Sequence, residues 1–303
     1  MNYIKDIDTF QAEKDSVVTL GKFDGVHRGH RKLISRVLEI AEVQGLEPAV
    51  FTFDVSPQAA LGIRERGLLM TNEERSRFLE ELGIRLLVEC HFSALRDMEA
   101  EAFVQSVLAG KMRARHFVVG PDFRFGKGRR GTPEFLKDMG KSLGFQVDIL
   151  EKEMDRGREI ASSYIREELL EGRIEKVNEL LGYPYFITGE VIHGRHLGHK
   201  LGFPTINQVP PEEKILPPRG VYASRIHVEG AVYRGVSNLG CKPTVHGDHE
   251  GLETYLFQCD RDLYGKTAKV ELLRFLRPER KFPSVEDLKE QLKCDVKAAE
   301  QIF

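Results

Sequence analysis

The sequence lacks most features that would settle its class at once. Its 303 residues include only four cysteines, Cys90, Cys241, Cys259 and Cys294, and no two form a C-x-x-C. That excludes a disulfide framework and predicts reduced, mostly buried thiols in a cytoplasmic protein. Net charge is scarce: 45 basic against 47 acidic side chains give −2. No broad positive footprint for nucleic acid or an anionic membrane follows, and neither is expected as a partner. No run approaches the ~18 apolar residues of a membrane span. The opening MNYIKDIDTF has neither the basic nor the apolar region of a signal peptide. No G-x-x-x-x-G-K-[ST] occurs, so any use of ATP must go by another route.

What is present falls into two grammars. Up to about residue 183, short apolar runs alternate with helical patterns. SVVTLGKF, PAVFTFD, IRLLVECHF, ARHFVVG and FQVDILEKE read as five strands. Between them RKLISRVLEIAEVQG, TNEERSRFLEELG, EAEAFVQSVLAG and TPEFLKDMGKSLG read as helices. In the first helix Leu33, Ile34, Val37, Leu38 and Ala41 share a face and Gly45 is the stop; Thr71 or Asn72 caps the second. This βαβα rhythm predicts an α/β Rossmann-like domain, a parallel sheet covered on both faces. Two short helices follow in SYIREELLEGRIEKVNELLG. From Phe186 the helical period gives way to short β-rich segments, which predicts a small antiparallel β-barrel. One helix closes the chain, with Ser284 and Asp287 as capping box and Val285, Leu288, Leu292 and Val296 as its stripe. The boundary is placed near 184, giving domains 1–183 and 184–303.

GKFDGVHRGH follows the first strand, where ligands sit on such sheets. His27 and His30 stand three apart at a helix start, where unpaired N–H groups and the helix dipole favour an anion. Gly25 and Gly29 admit a close backbone approach. The pattern fits a phosphate site, an N-terminal cap or a pair of metal ligands, although no third ligand is near in sequence. Ser162 and Ser163 open another helix with Arg166 one turn in, which is either a second anion site or an ordinary cap. GKGRRG matches G-x-G-x-x-G but follows the fourth strand and is basic, so a mobile basic loop is expected rather than a dinucleotide fingerprint.

The second domain has one dense stretch, GEVIHGRHLGHKLGFPTIN. Gly194, Gly198 and Gly202 with Arg195, His199 and Lys200 suit a flexible cover for phosphates. His193, His196 and His199 would share a face only in a helix, which the glycines oppose. Thr205 and Asn207 point the same way in an extended segment and could hold Mg²⁺ or form a turn beside Pro204. Glu253 opens the strand ETYLFQC and is either a solvated edge charge or a base facing the barrel mouth.

These motifs resemble a known family. H-x-G-H, with IASSYIR later, marks the nucleotidyltransferase superfamily; GKFDGVHRGH and VVGPDFRFG resemble the adenylyltransferase part of the bacterial bifunctional riboflavin kinase/FMN adenylyltransferases. GFPTIN, GVYA, GVSNLGCKPTV, DLYGK and LRPERKF follow in the order of the riboflavin kinase barrel. Ala161 and Ser163 stand where the family usually has Ser and Thr, and Ser56 where many members carry His. The resemblance implies phosphorylation of riboflavin to FMN by ATP in the second domain and adenylyl transfer to FMN in the first. It implies ATP and Mg²⁺ as co-substrate and cofactor, with riboflavin and FMN as substrates. It places adenylyl-site ATP at Gly21, Phe23, Gly29, His30, Ser162, Ser163 and Arg166, with His27 beside His30 at the α-phosphate. It places the FMN site of the first domain at Asp122, Phe123, Arg124 and Phe125. In the barrel it implies phosphates at Gly194, Gly198 and Lys200, Mg–ATP at Thr205 and Asn207, Glu253 as base, and Arg277 and Phe282 near the flavin. An H-x-G-H transferase of another phosphate, an RNA-binding protein and a flavin-responsive regulator are the rival readings. The oligomeric state is open.

Overall fold

The computed structural model describes residues 1–5, 7–54, 67–194, 203–244 and 247–303. The chain divides into two compact units, Met1–Ser162 and Ser163–Phe303.

The first unit is built on a parallel six-stranded sheet. Its strands are β1 (Asn2–Ile4), β2 (Ser16–Leu20), β3 (Glu47–Phe53), β4 (Leu86–Cys90), β5 (Ala114–Val119) and β6 (Gln146–Ile149), in the order β1-β4-β3-β2-β5-β6. β2 and β4 are buried at every residue, as a sheet covered on both faces requires. Each fully buried Val, Leu or Phe here contributes about 2 kcal/mol. The five expected strands are present. The sixth, β1, is a three-residue edge paired with β4, too short to carry a period. The chain winds from β2 out to β4, then returns past β2 to β5 and β6. The order therefore reverses between β2 and β5, and the carboxyl ends there form the crevice of such folds.

Helix α1 (Arg28–Gln44) leaves β2 and stops at Gly45, whose φ of +67° favours glycine. Ile34, Val37, Ile40 and Ala41 are its buried face. Helix α2 (Asn72–Glu81) is capped by Thr71, with Glu74 completing a capping box. The expected helix near residue 100 begins as an α-turn at Ala100–Ala102 and continues as a π-helix over Phe103–Lys111. Helix α3 (Pro133–Leu143) starts at the Thr132 cap. After β6 a short antiparallel hairpin, β7 (Met154–Asp155) and β8 (Arg158–Glu159), precedes the division. GKGRRG is a closed turn rather than the mobile loop expected. Phe125 and Gly131 exchange backbone hydrogen bonds across it, and the Lys127 N–H donates to the Met98 carbonyl. Gly131 is needed because a Cβ would enter the Phe125 ring.

Helix α4 (Ser162–Leu170) begins at the division, and α5 (Ile174–Leu181) follows in the second unit. The Asn178 side chain ties α5 to the sheet, donating to the Leu272 carbonyl at 2.9 Å and accepting from the Tyr185 N–H at 2.7 Å. The sheet is antiparallel, ordered β10-β13-β12-β11-β14-β9. Its strands are β9 (Tyr185–Glu190), β10 (Thr205–Gln208), β11 (Gly220–Val228), β12 (Ala231–Thr244), β13 (Gly247–Leu256) and β14 (Thr267–Pro278). It curls into a barrel-like trough, and Ile192, just beyond β9, bridges to Asn207 on the opposite edge strand. Inside, Ser224, Ser237 and Thr254 form a fully buried hydroxyl ladder at 2.6 and 2.8 Å.

Helix α6 (Val285–Glu300) closes the chain, capped by Ser284, which accepts from the Asp287 N–H. Val296, Ala299, Ile302 and Phe303 lie against Val221, Ala223, Val236 and Phe257 on the outer face of the sheet. Val285 does not belong to that stripe; it is exposed, because the contact begins a turn later. The cysteines are free, as expected, but only Cys90 is buried; Cys241 and Cys259 are half-buried and Cys294 is exposed on α6.

Candidate functional sites

The loop after β2 is built under strain. Phe23 and Val26 have φ of +51° and +32°, which a β-branched valine adopts only when its surroundings demand it. Three anchors make that demand. Asp24, fully buried, accepts from the Leu69 and Met70 N–H groups at 2.9 and 3.1 Å. The Lys22 carbonyl accepts from Thr52 and from Arg75. The Ser162 hydroxyl donates to the Asp24 carbonyl at 2.9 Å. Arg75 is itself buried, bonded to Glu89 at 2.5 Å, and Glu89 also accepts from Tyr3.

The loop delivers His27 to the N-cap of α1. Its Nδ1 accepts weakly from the His30 N–H at 3.4 Å, which leaves the ring proton on Nε2 as a donor. The two imidazoles stack, centroids 3.7 Å apart, and Phe23 abuts His30 at 5.0 Å. Burial pushes His27 down to about 4. His30 is driven well below its ordinary value by burial first, then by His27 and Arg75. Both are therefore neutral at physiological pH. The Nδ1 of His30 is buried and has no hydrogen-bond partner among the described residues. Gly29 makes the stacking possible, since a Cβ would come within 3.2 Å of the His27 ring.

His27, Gly29 and His30 line a cleft of about 280 Å³ at the β2–β5 crevice. Gly21, Asp122, Phe123, Lys152 and Ser162 also line it. Its two lysines are engaged: Lys152 holds Asp122 and Glu159 at 2.8 and 2.7 Å, and Lys32 donates to the Glu151 carbonyl at 3.0 Å and lies 3.8 Å from the Glu153 carboxylate. Phe123 stacks on Phe125, which belongs to the core, while the Arg124 guanidinium is exposed and donates to the Phe123 carbonyl. Ser163 and Arg166 continue α4 in the second unit. Among the described residues no group of three or more His, Cys, Asp or Glu could hold a metal, so the histidine pair lacks the third ligand a metal would need.

On the barrel sheet, Leu252, Thr254 and Leu256 are buried inward, so Glu253 faces outward, on the face that carries α6, rather than into a barrel mouth. It lies within β13, not at its opening, and β13 sits between β10 and β12. Glu253 is thus no edge charge. It is half-buried and accepts the Thr205 hydroxyl proton at 2.8 Å. Asn207 on β10 is directly opposite it. Gly194 packs against the Asn207 amide so closely that a Cβ would overlap it. His193 stacks on Tyr264, centroids 3.8 Å apart. Arg277 is bidentate to the buried Asp295 of α6 and lies over Phe282, which makes it a strap for that helix. Ser56, Arg195, His196, Gly198, His199, Lys200 and Gly202 lie outside the described residues.

Two family models match the chain: FAD synthetase over residues 9–164 and riboflavin kinase over 181–303. A bifunctional riboflavin kinase/FMN adenylyltransferase of Bacillus subtilis is 37% identical over 301 residues, 97% of this chain and 94% of that protein. The chain belongs to the bifunctional riboflavin kinase/FMN adenylyltransferase family. The Escherichia coli K12 member is 34% identical over 96% of this chain and 94% of its own length. A crystal structure described as a macrolide-efflux protein from Streptococcus pneumoniae superposes with a TM-score of 0.88, at 31% identity and 98% coverage of both chains. Among the described residues of this family member, no helix is long and apolar enough to cross a membrane. As a riboflavin kinase and FMN adenylyltransferase, the protein converts riboflavin to FMN and FMN to FAD with ATP as co-substrate. The sequence reading missed Asp24 and Arg75. Asp24 and Arg75 act through backbone groups distant in sequence, which no local pattern reports.

Proposed function

We propose that the two reactions use separate sites, one per domain, taken as 1–183 and 184–303. In the adenylyltransferase domain an FMN phosphate oxygen attacks the α-phosphorus of ATP and pyrophosphate leaves. That nucleophile is already an anion and needs no base. What it needs is relief of repulsion and alignment. His27 and His30 supply neutral N–H donors at the α-phosphate, with Gly21, Phe23 and Gly29 shaping the cradle. Ser162, Ser163 and Arg166 take the pyrophosphate. Asp122, Phe123, Arg124 and Phe125 form the flavin side, with Phe123 as the ring that meets the flavin and Phe125 as its support. The observation that carries this reading is the stacked, neutral histidine pair on the cleft, with a buried ring nitrogen awaiting a partner.

In the kinase domain the ribityl 5′-hydroxyl of riboflavin attacks the γ-phosphorus of ATP, and ADP leaves. An alcohol must lose its proton, and Glu253 accepts it. Thr205 gives its own proton to Glu253, which leaves its oxygen lone pairs for a cation. With Asn207 this is a hard-oxygen set of the kind that completes a Mg²⁺ shell carried by ATP phosphates. Mg²⁺ there would neutralise charge on the transferring phosphoryl group. Gly194, Gly198 and Lys200 cover the phosphates, and Arg277 with Phe282 fixes α6 beside the flavin. The free cysteines suit a cytoplasmic enzyme. The test is incubation with riboflavin, ATP and Mg²⁺, with flavins separated over time. FMN should appear first and FAD after it; FAD from added FMN in the absence of any kinase turnover is the second expected result. No FMN and no FAD would end the reading.

A further inference from the structure

Asn238 lies on β12 directly across from Glu253, just as Asn207 lies across from it on β10. The three side chains therefore share one face in a row across three adjacent strands, with Cβ atoms about 5 Å apart at each step. The parity is fixed independently: Ser237 and Thr254, each one position away, point into the buried hydroxyl ladder. Asn207 has a close neighbour in Gly194, and Glu253 has Thr205. The Oδ1 of Asn238 is buried and has no hydrogen-bond partner among the described residues.

An orphaned buried amide carbonyl is costly and rare in a finished structure. Val221 stands opposite it on β11 and Val236 lies two residues back on the same strand, neither with a donor, and the next small residue on that face, Gly240, abuts the Glu279 carboxylate. The Asn207 and Asn238 amides carry N–H donors of their own, but the Oδ1 of Asn238 accepts from none of the described residues, so a ligand group that satisfies it must donate a hydrogen. The ribityl chain of riboflavin, a polyol attached to an apolar ring, does so. We propose that Asn238 is a substrate-binding residue of the kinase site, its Oδ1 accepting a hydrogen bond from a ribityl hydroxyl and so setting the chain in place for proton transfer to Glu253. This rests on the assignment of the kinase site to the Glu253 face.

The test separates chain from ring. Lumiflavin carries the flavin ring with no ribityl chain, so it cannot use Asn238. Binding of riboflavin and of lumiflavin to the full-length protein is measured by flavin fluorescence, for the parent and for Asn238→Leu, which keeps size and removes the acceptor. Riboflavin should weaken about tenfold in the variant, the cost of one lost hydrogen bond, and lumiflavin should be unchanged. Equal weakening of both ligands, or of neither, overturns the proposal. Asn238→Asp is the second variant: it retains the acceptor and should bind riboflavin as the parent does. Riboflavin binding weakened in Asn238→Asp as much as in Asn238→Leu would contradict the placement. If instead Glu253→Gln left FMN formation intact, the kinase-site reading itself would fail, whatever Asn238 does.

Discussion

The two proposed sites would handle the same co-substrate with opposite chemistry. The proposed adenylyltransferase cleft presents two buried imidazoles held neutral, with its two lysines already engaged by carboxylates and a backbone carbonyl. The proposed kinase face presents a carboxylate flanked by a hydroxyl and two amides. The difference follows from the nucleophiles. A phosphate needs donors that do not over-stabilise the ground state, and neutral N–H groups gain most when charge builds on the phosphorus oxygens. An alcohol needs an acceptor. Each site lacks what the other has, so loss of one activity should leave the other untouched.

The largest effect that tests this separation is expected at Glu253. Glu253→Gln keeps the shape and removes the base, and FMN formation should fall by about 10²–10⁴-fold. FMN supplied directly should still become FAD at the parental rate. Chromatography of both reactions reads this out. Loss of both activities in a folded variant would merge the two sites into one.

His30→Ala is the mirror experiment. FAD formation should fall by about 10²-fold while FMN accumulates. A variant that makes FAD at the parental rate would remove His30 from the reaction. Folding is checked by the thermal transition, because His30 also packs on His27 and Phe23.

A smaller effect distinguishes the neutral pair from a charged one. The folded value of His27, about 4, lies below the ordinary one near 6.5. Stability from its neutral burial is therefore intact above pH 6.5 and lost as pH falls towards 4. About 2 kcal/mol should be gone by pH 5. Asn is a good N-cap without a titrating ring, so His27→Asn should keep the helix start and flatten the pH dependence of unfolding seen by calorimetry. An unchanged slope would mean that the imidazole does not titrate in this range.

Much of this was legible in the sequence, unevenly. The parallel sheet declared itself because strands buried on both faces are apolar runs, and α1 and α5 because Gly45 and Gly182 stop them at positive φ. His27 and His30 were found because their spacing and place after β2 are local. Whether they would cap a helix or line a cleft was open, and the structure shows both at once. Asp24 and Arg75 were hidden, since their partners are backbone groups tens of residues away. Asn238 stands in a segment that reads as an ordinary strand; only the register across β12 and β13 brings it to Glu253. The direction Glu253 faces was open for the same reason: period two tells which residues share a face, not which face is inside.

The smallest expected effect probes the kinase site through a residue with no side chain. Gly194 lies so close to the Asn207 amide that a methyl group would overlap it. Gly194→Ala must therefore move either the chain after Ile192, which is bonded to the Asn207 carbonyl, or the Asn207 amide itself. Moving that amide disturbs the proposed Mg–ATP contact, so the KM for ATP in FMN formation should rise about tenfold, a cost of roughly 1.4 kcal/mol. FMN adenylylation should not change. The cause is separable from a general loosening of the loop. In an Asn207→Ala background the overlapping atoms are gone, so adding Gly194→Ala should cost little more, and the two changes should be strongly non-additive. If their costs simply sum, Gly194 serves the loop and not the amide, and the contact between them has no part in holding ATP.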